Sequence, residues 1–432
     1  MAAVASRRRF IGGAAAVGAA VAAGLPRAAS AQAAPGRAAT YLVPGYRAEI
    51  ASYRGRPADE APELRADFPK GYEGGVTFAT RLSESDGAVA RALLPVIGHH
   101  IAADPEGKRA WFSGMNAAHS VTFDIPAMRL DRIVGPHAEG FVTGGHAVFT
   151  PDGRYVLATE RRRFDAPFKN LADRFGRLVV RDAGTLAVLE SLDCHGIAPH
   201  DVRPTEDGKY AVVANYGSVD LPPAGSKPTI VEASVTVLEL ASGRLAHKWI
   251  APVRDAELRH VAAHGLDRIA AIGFRMGGED EERALAAGRD AVFEPDILAE
   301  PGRVYLPAPV VMFAADRPGG GGIAATPEDP LLARQGQSVV YDPRHDEMLV
   351  TFGTSHTLIA FGAGDGRVRD VLRLDRLGLR YPRGVVLHPD GEHFAVSGGW
   401  QGLYLFRRGT HEPVPARALH PVWFDHSHLS VV

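Results

Sequence analysis

The chain has 432 residues, with 48 basic and 50 acidic side chains and a formal net charge of −2. This near-neutral balance, with no basic stripe, argues against nucleic acid binding and against attachment to an anionic membrane surface. The single cysteine, Cys194, excludes an intrachain disulfide and the cysteine-based zinc and haem-attachment motifs.

Residues 1–33 predict a twin-arginine signal peptide. Arg7 and Arg8 lie between a small polar residue and a large apolar pair, which is the pattern of this export route. The apolar run that follows, 11–25, is too short for a membrane span, and small residues before position 33 offer cleavage sites. We therefore expect export to the periplasm, with no stable membrane insertion after the signal is removed.

One unit recurs along the rest of the chain: a short apolar strand, a turn rich in Pro, Asp and Gly, and a second apolar strand. Copies occur at 101–112, 147–158, 206–213, 264–272, 341–350 and 385–396. Pro fixes φ, Asp bonds its own backbone and Gly accepts positive φ, so each copy predicts a β-hairpin. Further hairpins alternate with these copies, and two hairpins per repeat give the four-stranded sheet of a propeller blade.

These hairpins predict an all-β fold, a single β-propeller over 76–432. Seven blades of four antiparallel strands fit the count best, and six or eight blades remain open. The C-terminal strand, within 423–432, is expected to pair with the first blade and so close the ring, which removes free sheet edges. Residues 34–75 are predicted to be an irregular N-terminal segment, and 276–302 a surface insertion.

The candidate site lies where the innermost strands begin, because these strands line the central channel of a propeller and start at one mouth. Histidine stands at or near this position in five of the seven inner strands. The residues predicted to bind a metal or ligand are His100, His146, Glu160, His200, Asn215, His260 and His428. The residues predicted to line the channel are His99, Arg259, Arg275, Gln337, Arg383, Trp400 and His426.

Neutral imidazoles are good ligands for iron, copper, zinc or nickel, and a carboxylate such as Glu160 could complete a site. The alternative is that these histidines only bond the backbone of a neighbouring blade. A nucleophilic pair of Cys194 with His195 is not expected, because adjacent residues of a strand face opposite ways. No catalytic residue is predicted.

Two stretches carry a resemblance to a known family. They are 144–153 with Thr159-Glu160, and 195–201 with 213–215; weaker matches lie at 259–261 and 425–429. The chain resembles the bacterial family called domain of unknown function 1513, exported propellers often found beside imelysin-type, iron-regulated proteins. The resemblance implies the propeller fold and the periplasm, and it favours iron over other divalent metals. It also implies imelysin-type or other periplasmic iron-uptake proteins as partners.

This chain departs from the family pattern at His99-His100, where a single histidine followed by glycine is usual, so either ring is a candidate. The sequence favours a binding or accessory protein of iron or other metal acquisition. One alternative is a metal-dependent enzyme, either a lactonase-like hydrolase with a cation on Glu160 and Asn215 or an oxidoreductase. Another is a protein-interaction platform whose channel is purely structural.

Overall fold

The structure, a computed structural model, describes residues 38–47, 52–53, 56–57, 62–221, 227–277, 281, 304–317, 322–399, 402–414, 417 and 428–432. The predicted signal peptide, with Arg7 and Arg8, lies outside these residues. Trp400 and His426 lie outside them as well. Among the described residues, no helix is long and apolar enough to cross a membrane.

Apart from one two-stranded hairpin, the described strands form seven antiparallel sheets, numbered as blades 1 to 7 around the ring and each given from its innermost strand outward. Blade 1 consists of Ser430–Val431, Thr40–Arg47, Thr77–Ser83 and Val89–Leu94. Blade 2 consists of Gly98–Ala103, Arg109–Gly114, Ser120–Asp124 and Arg129–Val134. Blade 3 consists of Phe141–Phe149, Tyr155–Arg162, Phe175–Asp182 and Val188–Ile197. Blade 4 consists of Pro199–Pro204, Tyr210–Asn215, Ser234–Glu239 and Leu245–Ile250.

Blade 5 consists of Glu257–His264, Arg268–Gly277, Val310–Phe313 and Ile323–Ala325, with Val304–Leu306 paired to the end of its second strand. Blade 6 consists of Gly336–Asp342, Glu347–Phe352, Thr357–Gly362 and Val368–Arg373. Blade 7 has three strands within the described residues, Pro382–Leu387, His393–Gly398 and Leu403–Arg407. A small hairpin joins Ser52–Tyr53 to Arg56–Pro57, and short 3-10 helices span Pro62–Arg65, Leu171–Arg174, Pro330–Leu332 and Leu374–Leu377.

The ring closes through the C-terminus, as predicted. Ser430–Val431 pairs antiparallel with Thr40–Arg47, and the Val432 amide donates to the Thr40 carbonyl at 2.9 Å. Thr40–Arg47 lies within the segment predicted to be irregular, so the propeller begins before residue 76. Its partners in blade 1, Ser430–Val431 and Thr77–Ser83, are both distant in sequence, so no local hairpin pattern reveals it.

Seven hydrophobic clusters form most of the core, and each of them joins two neighbouring blades. Between blades 1 and 2, for example, Leu42 and Leu94 pack with Ile101 and Phe112. Equivalent clusters fill the six other interfaces, including the one between blades 7 and 1. Alternating strand residues supply these clusters, because successive side chains point to opposite faces of each sheet. A packed core at every interface holds the channel walls rigidly in place.

The turn at 150–153 illustrates why the repeated motif forms a hairpin. Gly153 adopts φ of 68° and its amide donates to the Thr150 carbonyl at 2.8 Å. The Asp152 side chain accepts from the Arg154 amide at 3.1 Å and from the Thr150 hydroxyl at 2.6 Å. The predicted turn chemistry is therefore present, and it fixes the inner strand that carries His146.

Candidate metal centre in the central channel

Irregularities in the inner strands define the site. Six of these strands shift register against their second strands, and each shift falls near the start of the strand. The residues within the shifts include His99, His146, His200, His260, Gln337 and Arg383. A β-bulge interrupts the alternation of side chains and re-aims the extra residue. The bulges therefore direct into the channel side chains that would face another way in a regular strand.

The histidine rings of blades 2 to 5 meet with His428, which precedes the closing strand. Ring centres lie 4.7 Å apart for His146 and His200, and 5.0 Å apart for His200 and His260. The ring of His428 lies 4.6 Å from that of His260 and 4.7 Å from that of His99. Residues far apart in the sequence therefore form one cluster on five blades.

Four of these rings could hold a metal ion: His99, His146, His200 and His260 each offer a nitrogen, and the four nitrogens lie within 4.8 Å of one another. Two nitrogens bound to one ion at 2.0–2.1 Å with tetrahedral geometry would be about 3.3 Å apart. The Nε2 atoms of His99 and His200 are 3.2 Å apart. The separation of this pair therefore already matches that of two nitrogens bound to one tetrahedral ion.

The backbone of the Gly144-Gly145 bulge orients His200. Its Nδ1 atom lies 2.7 Å from the Gly144 carbonyl oxygen, so Nδ1–H donates there and Nε2 keeps a lone pair toward His99. A Cβ atom at Gly145 would lie 2.4 Å from His200 Cε1 and 3.3 Å from His99 Cδ2, and φ at Gly145 is +121°. Glycine at this position therefore allows both rings to approach the backbone.

Asp201 provides the carboxylate beside the cluster. It is almost fully buried, and its oxygens lie 3.2 Å from His146 Nδ1 and 3.9 Å from His260 Nδ1. The backbone amides of Val202 and Val261 donate to it at 2.8 and 3.1 Å. Burial raises the pKa of Asp201, while Arg203 and these amides favour the charged form. The carboxylate is close enough to act on both rings through its charge, without a hydrogen bond to either ring within the described residues.

Burial keeps four of the rings, those of His100, His146, His200 and His260, neutral near pH 7. It lowers the pKa of His100 to about 3, because the charged form loses its hydration. The pKa of His146, His200 and His260 is also held well below 6.5, first by burial and then by neighbouring positive or protonatable groups. Neutral imidazole is the form that binds metal ions, so His146, His200 and His260 need no deprotonation to act as ligands.

The structure distinguishes the two adjacent histidines of blade 2. His99, predicted only to line the channel, supplies a nitrogen to the group of four. His100 instead stacks on His146, with ring centres 4.3 Å apart, and its Nδ1 atom makes no hydrogen bond within the described residues. The bulge at His99 explains why both neighbouring rings reach the channel.

Glu160 and Asn215, predicted as ligands, are not in the group of four. The Glu160 carboxylate accepts from His137, at 2.6 Å from the ring Nδ1, and from Arg181 at 3.3 Å. The Asn215 amide donates to the carbonyl of Ser234 at 3.3 Å and to the Thr236 hydroxyl at 3.1 Å. Both side chains bond within the blade walls, so the site consists of imidazoles.

The predicted channel arginines have separate roles. Arg259 forms a salt bridge with Glu257 at 2.7 Å and lies over the ring of Tyr216, which contacts His200 at 4.6 Å between ring centres. Arg383 donates to Gln337 at 3.2 Å, which joins the bulges of blades 7 and 6. Arg275 points elsewhere: it pairs with Asp255 and donates to the Pro307 carbonyl.

Sequence reasoning missed Asp201, Gly145 and Arg161. Arg161 is fully buried and donates to the same Gly144 carbonyl that His200 uses, at 2.6 Å. Asp201 could have been found from the run His200-Asp201. Two successive polar residues on an inner strand indicate a bulge, which breaks the alternation of inward and outward side chains.

A cavity of about 480 Å³ occupies the channel on one side of the histidine cluster. His146 and His260 form part of its wall, together with His100, His428, Asp201 and Arg203. Much of the remaining wall is Ala and Val from the inner strands, and His264 and Tyr341 line it farther along. The cavity therefore gives the metal-binding group a neighbouring space large enough for a small molecule.

A second group, Asp342, His345 and Glu347, also brings potential ligand atoms together. Its charges are already paired, because Arg408 forms a salt bridge with Asp342 and His411 bonds Glu347 at 2.9 Å. The channel histidines are therefore the stronger candidate centre.

Comparison with known proteins supports the fold. A family model described as "Protein of unknown function (DUF1513)" matches residues 92–301, which confirms the predicted resemblance. No curated protein matches the chain. Among solved structures, a chain of Kuenenia stuttgartiensis hydrazine synthase is similar, with a TM-score of 0.51 and 15% identity over 77% of this chain and 92% of that chain. At that identity the likeness shows the propeller fold alone.

Proposed function

We propose that this protein binds one first-row transition-metal ion in its channel, through His99, His146, His200 and His260. The observation that carries the proposal is the convergence of four imidazole nitrogens within 4.8 Å. Three of the four rings are more than nine-tenths buried and have a lowered pKa, so they are present as neutral ligands. Asp201 places a carboxylate beside two of these rings.

The ligand chemistry favours iron, copper, zinc or nickel over magnesium and calcium, which prefer oxygen ligands. Iron is our first choice, because the family resemblance implies an association with iron-regulated proteins. The protein would then be a periplasmic binding or accessory protein of iron acquisition. Export in the folded state by the twin-arginine route is compatible with a metal acquired before export. Imelysin-type proteins are the proposed partners.

Elemental analysis tests this proposal directly. The mature protein would be purified from the periplasm without chelators or an affinity tag of histidines, beside a His146→Ala, His200→Ala double variant. About one transition-metal ion per chain, lost in the variant, is the expected result. His247→Ala is a matched control. This histidine lies on the outermost strand of blade 4, away from the cluster, and its ring stacks on Trp249. Metal absent from the wild type, or retained in the folded double variant, would refute the channel site.

The cavity favours a second candidate, a metal-dependent oxidoreductase. An enzyme needs a free coordination position and room for a substrate, and the space beside His146 and His260 offers room. Reduction or oxidation of the bound ion by a small molecule, with repeated turnover, would support the enzyme over the binding protein. Stoichiometric binding without turnover would support the binding protein.

A further inference from the structure

The cavity beside the histidine cluster has chemical features of a ligand site in its own right. Its wall near the cluster carries His100 and His428, which are not among the four grouped ligands, and Arg203. Both histidines are at most about one-twentieth exposed. His100 Nδ1 makes no hydrogen bond within the described residues, although it is buried. A buried polar atom of this kind costs free energy unless something binds it.

The charges around the cluster favour an anion in this space. Arg203 lies 3.6 Å from the Asp201 carboxylate, so these two residues largely cancel each other. A divalent ion held by four neutral imidazoles would then keep most of its charge in a buried site. Uncompensated charge is costly away from water, and an anionic ligand would offset it.

The positions of the donors identify where the anion would bind. His146 and His260 belong both to the four grouped ligands and to the cavity wall, whereas His99 and His200 do not line the cavity. An ion bound by these rings would therefore lie next to the cavity, and a ligand from the cavity would join the four imidazoles as a fifth ligand. Arg203 lies on the same wall and is one-third exposed, with its Nε donating to the Val261 carbonyl at 3.2 Å.

We propose that the cavity binds a small carboxylate, which coordinates the metal ion on its cavity side and is held by Arg203 and His100. The inference rests on the proposed metal site. Arginine matches the two oxygens of a carboxylate, and a neutral imidazole supplies one N–H donor. The volume of about 480 Å³ accommodates a small organic acid and leaves the apolar Ala and Val wall to contact its carbon atoms.

The test uses the mature protein loaded with cobalt(II), whose visible absorption bands report a change of ligands. Sodium acetate is titrated at constant ionic strength, and bound cobalt is measured in every sample. We expect a saturable spectral change with one acetate per cobalt. In Arg203→Gln the affinity for acetate should fall about tenfold, equivalent to about 1.4 kcal/mol, because one charge-assisted contact is lost. Arg203→Lys should lose less.

Arg244→Gln is the matched control, since it removes the same charge from an exposed turn of blade 4 and should bind acetate as the wild type does. Three results would overturn the inference. Cobalt bound without any response to acetate refutes the carboxylate site and leaves the metal site standing. Equal acetate affinity in folded, cobalt-loaded Arg203→Gln refutes the role of Arg203. A folded wild type that binds no cobalt overturns the metal site and this inference together.

Discussion

Gly145→Ala should disrupt metal binding without removing any ligand. The new Cβ atom would lie 2.4 Å from Cε1 and 2.6 Å from Nδ1 of His200. Ordinary carbon contacts are about 3.5 Å or longer, so the ring must move by roughly 1 Å. Metal–ligand distances tolerate only about 0.2 Å. Movement of His200 would also break its hydrogen bond to the Gly144 carbonyl, which fixes the free nitrogen.

We expect the affinity for cobalt(II) to fall by about 10–100-fold, the usual cost of losing the support of a metal ligand. The metal-free protein should also lose about 1–3 kcal/mol of unfolding free energy, because φ of +121° strains alanine. Calorimetric titration with cobalt(II) measures the affinity, and guanidinium unfolding with a chelator present measures the stability.

Gly140→Ala is the control for backbone strain alone. Gly140 also has positive φ, +80°, but the nearest atom to its added Cβ would be an Arg162 nitrogen at 3.9 Å. This variant should lose stability and keep its affinity for cobalt(II). A folded Gly145→Ala protein that binds cobalt(II) as tightly as the wild type would refute the placement of His200 and His99 at the ion.

Three further predictions address other parts of the site. Asp201→Asn should weaken cobalt(II) binding about tenfold by calorimetry, because the buried carboxylate beside the rings is lost, whereas Asp207→Asn in a surface turn should not. In the metal-free protein, His100 has a folded pKa of about 3 and an unfolded pKa near 6.5, so unfolding takes up a proton and stability falls as pH drops below 6.5. Urea unfolding at several pH values between 6.5 and 5 measures how the unfolding free energy changes with pH. In His100→Gln this pH dependence should be shallower than in the wild type by up to about 1.4 kcal/mol per pH unit, and an unchanged pH dependence would contradict a neutral His100 ring. Glu160→Gln should cost about 3 kcal/mol in urea unfolding, because buried Arg181 loses its partner, yet leave metal content intact; loss of metal would show that Glu160 is a ligand after all.

The repeated turns were sufficient to predict the architecture. Pro, Asp and Gly at fixed offsets specify hairpins locally, and the regular spacing of those hairpins indicates blades. The closing strand followed from counting, because seven outer hairpins require a seventh inner strand. The strand Thr40–Arg47 did not follow, since both of its neighbours in blade 1 are far away in the sequence.

The sequence by itself determined that histidines stand at the starts of the inner strands, and therefore that imidazoles converge in the channel. It could not decide which of His99 and His100 offers a nitrogen to the ion, or where Glu160 points. Those answers depend on bulges and on contacts between blades, which alter the two-residue alternation that sequence reasoning assumes. Glu160 is held by His137 and Arg181 in the blade wall, whereas Asp201 lies beside the rings because of the bulge at His200. The hydrogen bonds and ion pairs of these residues join positions distant in the sequence, so only the tertiary structure determines them.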